Sequence, residues 1–140
     1  VTGSAEAIIA ELDAKEQIRR LTADYAQGLD KRKRDQFAGV WTPDASWLPS
    51  PAFGWCHGTE EILAMADKIW SAVDRTHHFV MNHVIDVDGA EASGTIDLLS
   101  ENLALDGTWS RAASTHTDSY VLHDGRWLIT SRSAHVEILG

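Results

Sequence analysis

The segments Val87-Asp88-Gly89-Ala90, Leu105-Asp106-Gly107-Thr108 and His123-Asp124-Gly125-Arg126 decide the fold of this chain. Each Asp-Gly pair stands 18 residues from the next, between runs rich in Val, Ile, Leu, Thr and aromatic residues. Asp-Gly suits a two-residue type I′ turn, whose central positions both need positive φ; glycine adopts it freely and aspartate tolerates it. The spacing therefore predicts four antiparallel strands, over about 76–87, 90–105, 108–123 and 126–138. Turns of two residues fix the register, so the sequence also predicts which side chains share a face.

Upstream of this meander the period changes. Ile8, Ile9, Leu12, Ile18, Leu21, Tyr25 and Leu29 recur at three-and-four spacing, which predicts a long amphipathic helix from Ala5 to about Leu29, with a break near Asp13 and Gly28 marking the approach of its end. A short helix over Asp35–Trp41 stops at Pro43, Ala45–Leu48 reads as a strand, and Pro49–Gly58 reads as a loop. Thr59, Glu60 and Glu61 supply an N-cap and an acidic first turn for a third helix through Trp70, with Ile62, Ala66, Ile69 and Val73 facing inward. Strands of 12–16 residues would span ~40–50 Å if flat. The expected architecture is therefore α+β: helices packed in the concave face of a strongly curved antiparallel sheet, with a bulge near Gly94.

The whole chain, 1–140, fits one domain. Its 21 acidic against 12 basic residues give a formal charge of −9, which disfavours nucleic acid and anionic membrane as partners. The basic run Lys31–Arg34 reads as a solvated helix end. One cysteine, Cys56, has no partner for an internal disulfide, and a reducing, cytoplasmic setting is the expectation; the missing initiator Met leaves room for a trimmed leader. Six tryptophans point to large flat surfaces and a hydrophobic pocket.

With each turn limited to its Asp-Gly pair, His78 lies opposite Leu99, Leu99 opposite Ser114, and Ser114 opposite His135. One face then carries His78, Asn82, Asp97, Leu99, Glu101, Ser114, His116, Asp118, Tyr120 and His135. The other carries Phe79, Met81, Ile85, Ile96, Leu98, Trp109, Val121, Leu128, Val136 and Ile138. Either the apolar face is the core and the polar face is wet, or the polar groups line a pocket and a second subunit covers the apolar face.

Asp30, at the end of the first helix, and His78, on the first meander strand, form a candidate dyad. A carboxylate accepting from Nδ1–H fixes the imidazole tautomer and leaves Nε2 as a base. Such a pair suits cofactor-independent proton abstraction from carbon. Ser114 and His116 face the same cavity and could hold a substrate oxygen or protonate a leaving group. His116, Asp118 and His135 form a weaker two-histidine, one-carboxylate constellation. No metal or cofactor is expected, and no glycine-rich phosphate loop or dinucleotide fingerprint is present.

Gly28-Leu29-Asp30-Lys31-Arg32, Val40 through Trp47, Thr76-His77-His78-Phe79 and Tyr120 through Trp127 resemble the SnoaL-like branch of the NTF2-like superfamily, in particular hexachlorocyclohexane dehydrochlorinase and scytalone dehydratase. The resemblance implies a cone-shaped α+β barrel, Asp30 and His78 as the dyad, and Tyr25, Trp47, Ser114 and His116 as substrate-binding groups. It implies a lyase or isomerase acting on a small, largely apolar cyclic substrate, in a homo-oligomer, dimer or trimer. The alternative is a non-catalytic ligand-binding or assembly module on the same fold.

Overall fold

Ser4 caps the first helix by accepting from the backbone N–H of Ala7 at 3.2 Å, and α1 then runs unbroken over Ala5–Asp30 in the computed structural model, which describes residues 3–140. No break occurs at Asp13. Its buried stripe begins at Ala14 and continues through Ile18, Leu21, Tyr25 and Leu29, while Ile9 and Leu12 stay exposed. Gly28 lies inside the helix because α2 (Arg34–Ala38) crosses it there: a Cβ on Gly28 would sit 2.7 Å from the Phe37 backbone N. Gly28→Ala gains helix propensity but forces that crossing apart. It should lower unfolding free energy by about 2 kcal/mol in urea titration with an unchanged slope.

Pairing then places β1 (Trp41–Leu48), β2 (Cys56–His57), β3 (Val73–Asp88), β4 (Glu91–Ala104), β5 (Trp109–His123) and β6 (Arg126–Ile138) in one six-stranded sheet of order β2-β1-β6-β5-β4-β3. The sheet is mostly antiparallel; β1 and β6 are parallel. Helix α3 (Gly58–Ala72) packs on β1, and α1 packs on β3 and β6. Trp41 belongs to β1 rather than to a helix, and β2 emerges from the predicted loop. Val73 begins β3 rather than completing the inward stripe of α3, whose Ile62 and Ala66 are buried.

The four-stranded meander is present, with a register that differs from the expected one at two turns. Asp124-Gly125 makes the predicted turn, both residues at positive φ, with His123 paired to Arg126. At the first turn Asp88 pairs with Glu91, so Gly89-Ala90 forms the loop, with Gly89 at φ +61°. At the second, Ala104 bonds Thr108 and Gly107 takes φ +87°, giving a three-residue loop. Bulges add further shifts. Asn82, at φ +50°, lies where the β3–β4 register slips between Met81 and Val84, and β5–β6 slips between Ser119 and Tyr120. The bulge expected near Gly94 falls on the facing strand instead. Gly94 is needed for proximity, since a Cβ there would lie 2.7 Å from the Val84 carbonyl oxygen.

These offsets move several side chains to the opposite face. His78 pairs with Ser100, Leu98 with Ser114, and Ser114 with Val136. Ser100 and Asn102 therefore replace Leu99 and Glu101 on the pocket side, and Val136 replaces His135. Asp97, Leu99 and His135 sit on the open side, whereas Ile96 and Leu98, predicted for the outer face, are buried. The open face is mixed: Phe79, Met81 and Trp109 are exposed on it alongside Asp97, Thr115 and Glu137.

Candidate active site

Two anchors bring the end of α1 to the start of β3. The indole N–H of Trp70 donates to the Leu29 carbonyl at 2.8 Å, and the Arg32 guanidinium donates to the carbonyls of Val73 and Asp74 at 2.9 and 3.0 Å. Arg32, at φ +53°, turns the chain out of the helix. The basic run is thus partly structural, and Arg34 also pairs with Asp67.

Between these anchors, Asp30 Oδ1 lies 2.5 Å from His78 Nδ1. Oδ1 also accepts from the Thr76 hydroxyl at 2.8 Å, and Oδ2 accepts from the His78 backbone N–H at 2.8 Å. Burial pulls the Asp30 carboxyl upward, but the ring and backbone N–H of His78 and the Thr76 hydroxyl outweigh it and hold the group below the usual carboxylate range. An ionised Asp30 accepts only, so Nδ1 carries the proton and Nε2 is the ring nitrogen left free.

His78 lines a cavity of about 350 Å³ that also receives Tyr25, Trp47, Ser114 and His116. All six residues singled out from the sequence thus lie at one site. Tyr25 is central: its ring is 6.4 Å from that of His78, 6.0 Å from that of His116 and 6.0 Å from that of Trp47, each edge-on. Trp47, Trp41 and Phe37 pack beneath it without filling the cavity. Burial pushes the Tyr25 phenol up to about 12, so it remains a neutral hydroxyl.

Behind Tyr25 lies a buried polar network whose pairing the expected register concealed. Arg132 is fully buried with its guanidinium 4.4 Å from the Tyr25 ring centroid, and it grips Asp118 through Nε at 2.9 Å and Nη2 at 2.6 Å. Nη2 also donates to Thr22 at 3.0 Å. Burial would raise the Asp118 carboxyl, but the Arg132 charge and hydrogen bonds keep it low. The Tyr120 hydroxyl donates to Asp118 at 2.5 Å and accepts from His83 Nε2 at 3.1 Å. The sequence signal was a carboxylate and a guanidinium in facing strands, visible as a pair only once the β5–β6 bulge aligns Asp118 with Arg132. Asp118 is thereby committed to Arg132, and His135, paired with Thr115 on the open face, does not join His116. Among the described residues no group of three metal-ligating side chains assembles.

Two histidines are held neutral by burial. His83 is pushed down to about 4, and His116 to about 3 with the nearby Arg132 charge adding to the effect. Because the unfolded chain protonates them near 6.5 while the native state resists, the unfolded state binds more protons below that pH. Stability is then full above about pH 6.5 and falls as pH drops toward 4, by up to about 1.4 kcal/mol per pH unit for each histidine. Urea midpoints at pH 7, 6, 5 and 4.5 should decline in that order, and His83→Gln should flatten the slope.

The helices, the mostly antiparallel sheet and the pocket between them define an α+β fold of the NTF2-like class. The SnoaL-like domain family matches residues 10–133, and the chain belongs to that family. The gamma-hexachlorocyclohexane dehydrochlorinase of Sphingobium indicum is 28% identical over 126 residues, covering 88% of this chain and 80% of that enzyme. The crystal structure of LinA superposes with a TM-score of 0.87 at 26% identity over 92% of this chain and 89% of the other. A LinA-type3 hexachlorocyclohexane dehydrochlorinase from Novosphingobium barchaimii LL02 gives 0.85 at 22% identity over 94% of each chain. The distant dehydrochlorinase homology is compatible with a lyase. No helix among the described residues is long and apolar enough to cross a membrane.

Proposed function

We propose that this protein is a cofactor-independent lyase or isomerase in which His78 removes a proton from carbon and Asp30 orients it. The observation that carries this reading is the 2.5 Å contact between Asp30 Oδ1 and His78 Nδ1 at the wall of a cavity. A carboxylate at that distance stabilises the imidazolium formed when Nε2 accepts a proton, without itself becoming protonated. Tyr25 and Trp47 supply aromatic edges for a cyclic substrate, and Ser114 and His116 supply polar groups deeper in the same cavity.

Relatives named as dehydrochlorinases make elimination the first reaction to test. A panel of small ring compounds, among them gamma-hexachlorocyclohexane, should yield at least one elimination or isomerisation. His78→Ala should reduce its rate by about 10³-fold or more with the fold intact by circular dichroism. Unchanged turnover in His78→Ala would remove the mechanism. A protein that binds panel members at the cavity and transforms none would favour the non-catalytic ligand-binding reading.

Self-association belongs to the same proposal. Phe79, Met81 and Trp109 are exposed on the open sheet face, which half-buried Leu99 shares. A second copy covering this face would bury apolar area that a monomer leaves wet. Light scattering at micromolar concentration should give a dimer or trimer, and Met81→Lys should shift it toward monomer; a wild-type monomer would contradict the assignment.

A further inference from the structure

The three Asp-Gly pairs that set the hairpins share one local sequence and stand in three different structural states. Ring closure at such a pair needs a carboxyl carbon within reach of the next backbone nitrogen, a nitrogen not engaged elsewhere, and room for the chain to swivel. Glycine, without a Cβ, leaves that nitrogen open to approach. At Asp106-Gly107 both reacting groups are held. Asp106 Oδ1 accepts from the Thr108 backbone N–H at 2.9 Å, and Thr108 keeps the carboxyl below its usual range and therefore charged. The Gly107 N–H donates to the Ala104 carbonyl at 3.0 Å. At Asp88-Gly89 the chain is pinned instead. Asp88 is a ladder residue opposite Glu91, and the Ala90 carbonyl accepts from the Leu122 N–H at 2.8 Å.

None of these restraints acts on Asp124-Gly125. The pair makes up the whole loop between His123 and Arg126, at φ +49° and +77°, so neither residue belongs to the ladder. The Asp124 side chain is 93% exposed, and among the described residues no backbone hydrogen bond engages the Gly125 N–H. Beside the carboxylate stands His123, whose Nε2 lies 3.4 Å from Oδ2.

We infer that Asp124-Gly125 is a self-modifying site, the one of three like pairs that the native fold leaves free to form isoaspartate. The Gly125 nitrogen attacks Cγ of the neutral Asp124 carboxyl; a C–N bond forms, a Cγ–O bond breaks, and the hydroxyl leaves as water with the proton from nitrogen. The His123 imidazole carries that proton, accepting it from nitrogen and passing it to the departing oxygen. Water then opens the five-membered imide. Addition at Cγ restores aspartate. Addition at the main-chain carbonyl breaks its bond to the Gly125 nitrogen, returns a proton there, and leaves the chain running through the side-chain carbon. That product lengthens the main chain by one methylene inside a two-residue turn, which loosens the closing pairs His123–Arg126 and Leu122–Trp127.

The experiment incubates the folded protein for several weeks at neutral pH and body temperature, beside a sample unfolded in urea. Isoaspartate at each pair is measured by electron-transfer fragmentation of tryptic peptides and by methyl transfer from an isoaspartyl methyltransferase. In the folded protein Asp124 should carry about tenfold more isoaspartate than Asp88 or Asp106, whereas in urea the three should agree within about threefold. His123→Gln should slow the folded-state reaction at Asp124 about three- to tenfold. Asp124→Glu, which would have to close a six-membered ring, should remove the signal from this turn. Equal or greater modification at Asp88 or Asp106 in the folded protein, or none at Asp124 while the urea sample reacts, would overturn the assignment. An unchanged rate in His123→Gln would overturn the part given to the imidazole.

Discussion

Asp30→Asn should leave a folded protein whose turnover, by elimination or by isomerisation, has fallen by about 10³–10⁴-fold. The carboxylate accepts three hydrogen bonds, from Nδ1 and the backbone N–H of His78 and from Thr76, and an amide can reproduce them only in part. With an amide N–H turned toward Nδ1, that nitrogen becomes an acceptor, the ring proton moves to Nε2, and the base is blocked. Even in the orientation that keeps the tautomer, the charge that stabilises the imidazolium is gone. The effect on stability should be small. Asp30 is the last residue of α1, where the helix dipole disfavours a negative charge, and removing that charge offsets the weakened bonds to within about 1 kcal/mol. A large loss of rate beside a nearly unchanged urea midpoint separates a catalytic role from a structural one.

Arg132→Met has the opposite signature. The guanidinium is fully buried, and its removal strands the Asp118 carboxylate in the interior with only the Tyr120 hydroxyl to satisfy it. Breaking one side of a buried ion pair costs about 3–5 kcal/mol, and the Tyr25 ring loses the cation it rests on. The variant should therefore unfold at markedly lower urea. Adding Asp118→Leu should recover most of the loss, because replacing both charges by apolar groups removes the unpaired one. Recovery would identify the stranded carboxylate as the cause. A single variant as stable as wild type would contradict the view that Arg132 neutralises a buried charge the fold cannot leave unpaired.

The meander, the long first helix and the third helix were legible in the sequence, because Asp-Gly turns and amphipathic periods are local signals; the helix end and the strand faces pointed to Asp30, His78, Ser114 and His116, whereas Tyr25 and Trp47 came only with the family resemblance. What was not legible was parity. Gly89-Ala90 rather than Asp88-Gly89 forms the first turn, Gly107 closes a three-residue loop, and Asn82 takes a positive φ inside a strand. The displaced first turn shifts pairing by two residues and keeps the faces, but the Asn82 slip, the three-residue loop and the β5–β6 slip at Ser119–Tyr120 each shift it by one, and one residue turns a strand's side chains over. Hence Ser100, Asn102 and Val136 were exchanged for Leu99, Glu101 and His135, and Asp118–Arg132 went unrecognised. His78, Ser114 and His116 were placed together all the same, since the offsets on β3 and β5 relative to one another span two turns and cancel in parity. The parallel pairing of β1 with β6 has no local signal at all; it depends on where a distant strand finds an open edge.

The ring nitrogens of His78 give the most direct test, and they need no substrate. In ¹⁵N-labelled protein, the neutral form of the His78 imidazole should show a protonated Nδ1 and a bare Nε2, with the Nδ1 proton shifted far downfield and lost in Asp30→Asn. The reverse tautomer, with Nε2 protonated, or a spectrum indifferent to Asp30, would contradict the account.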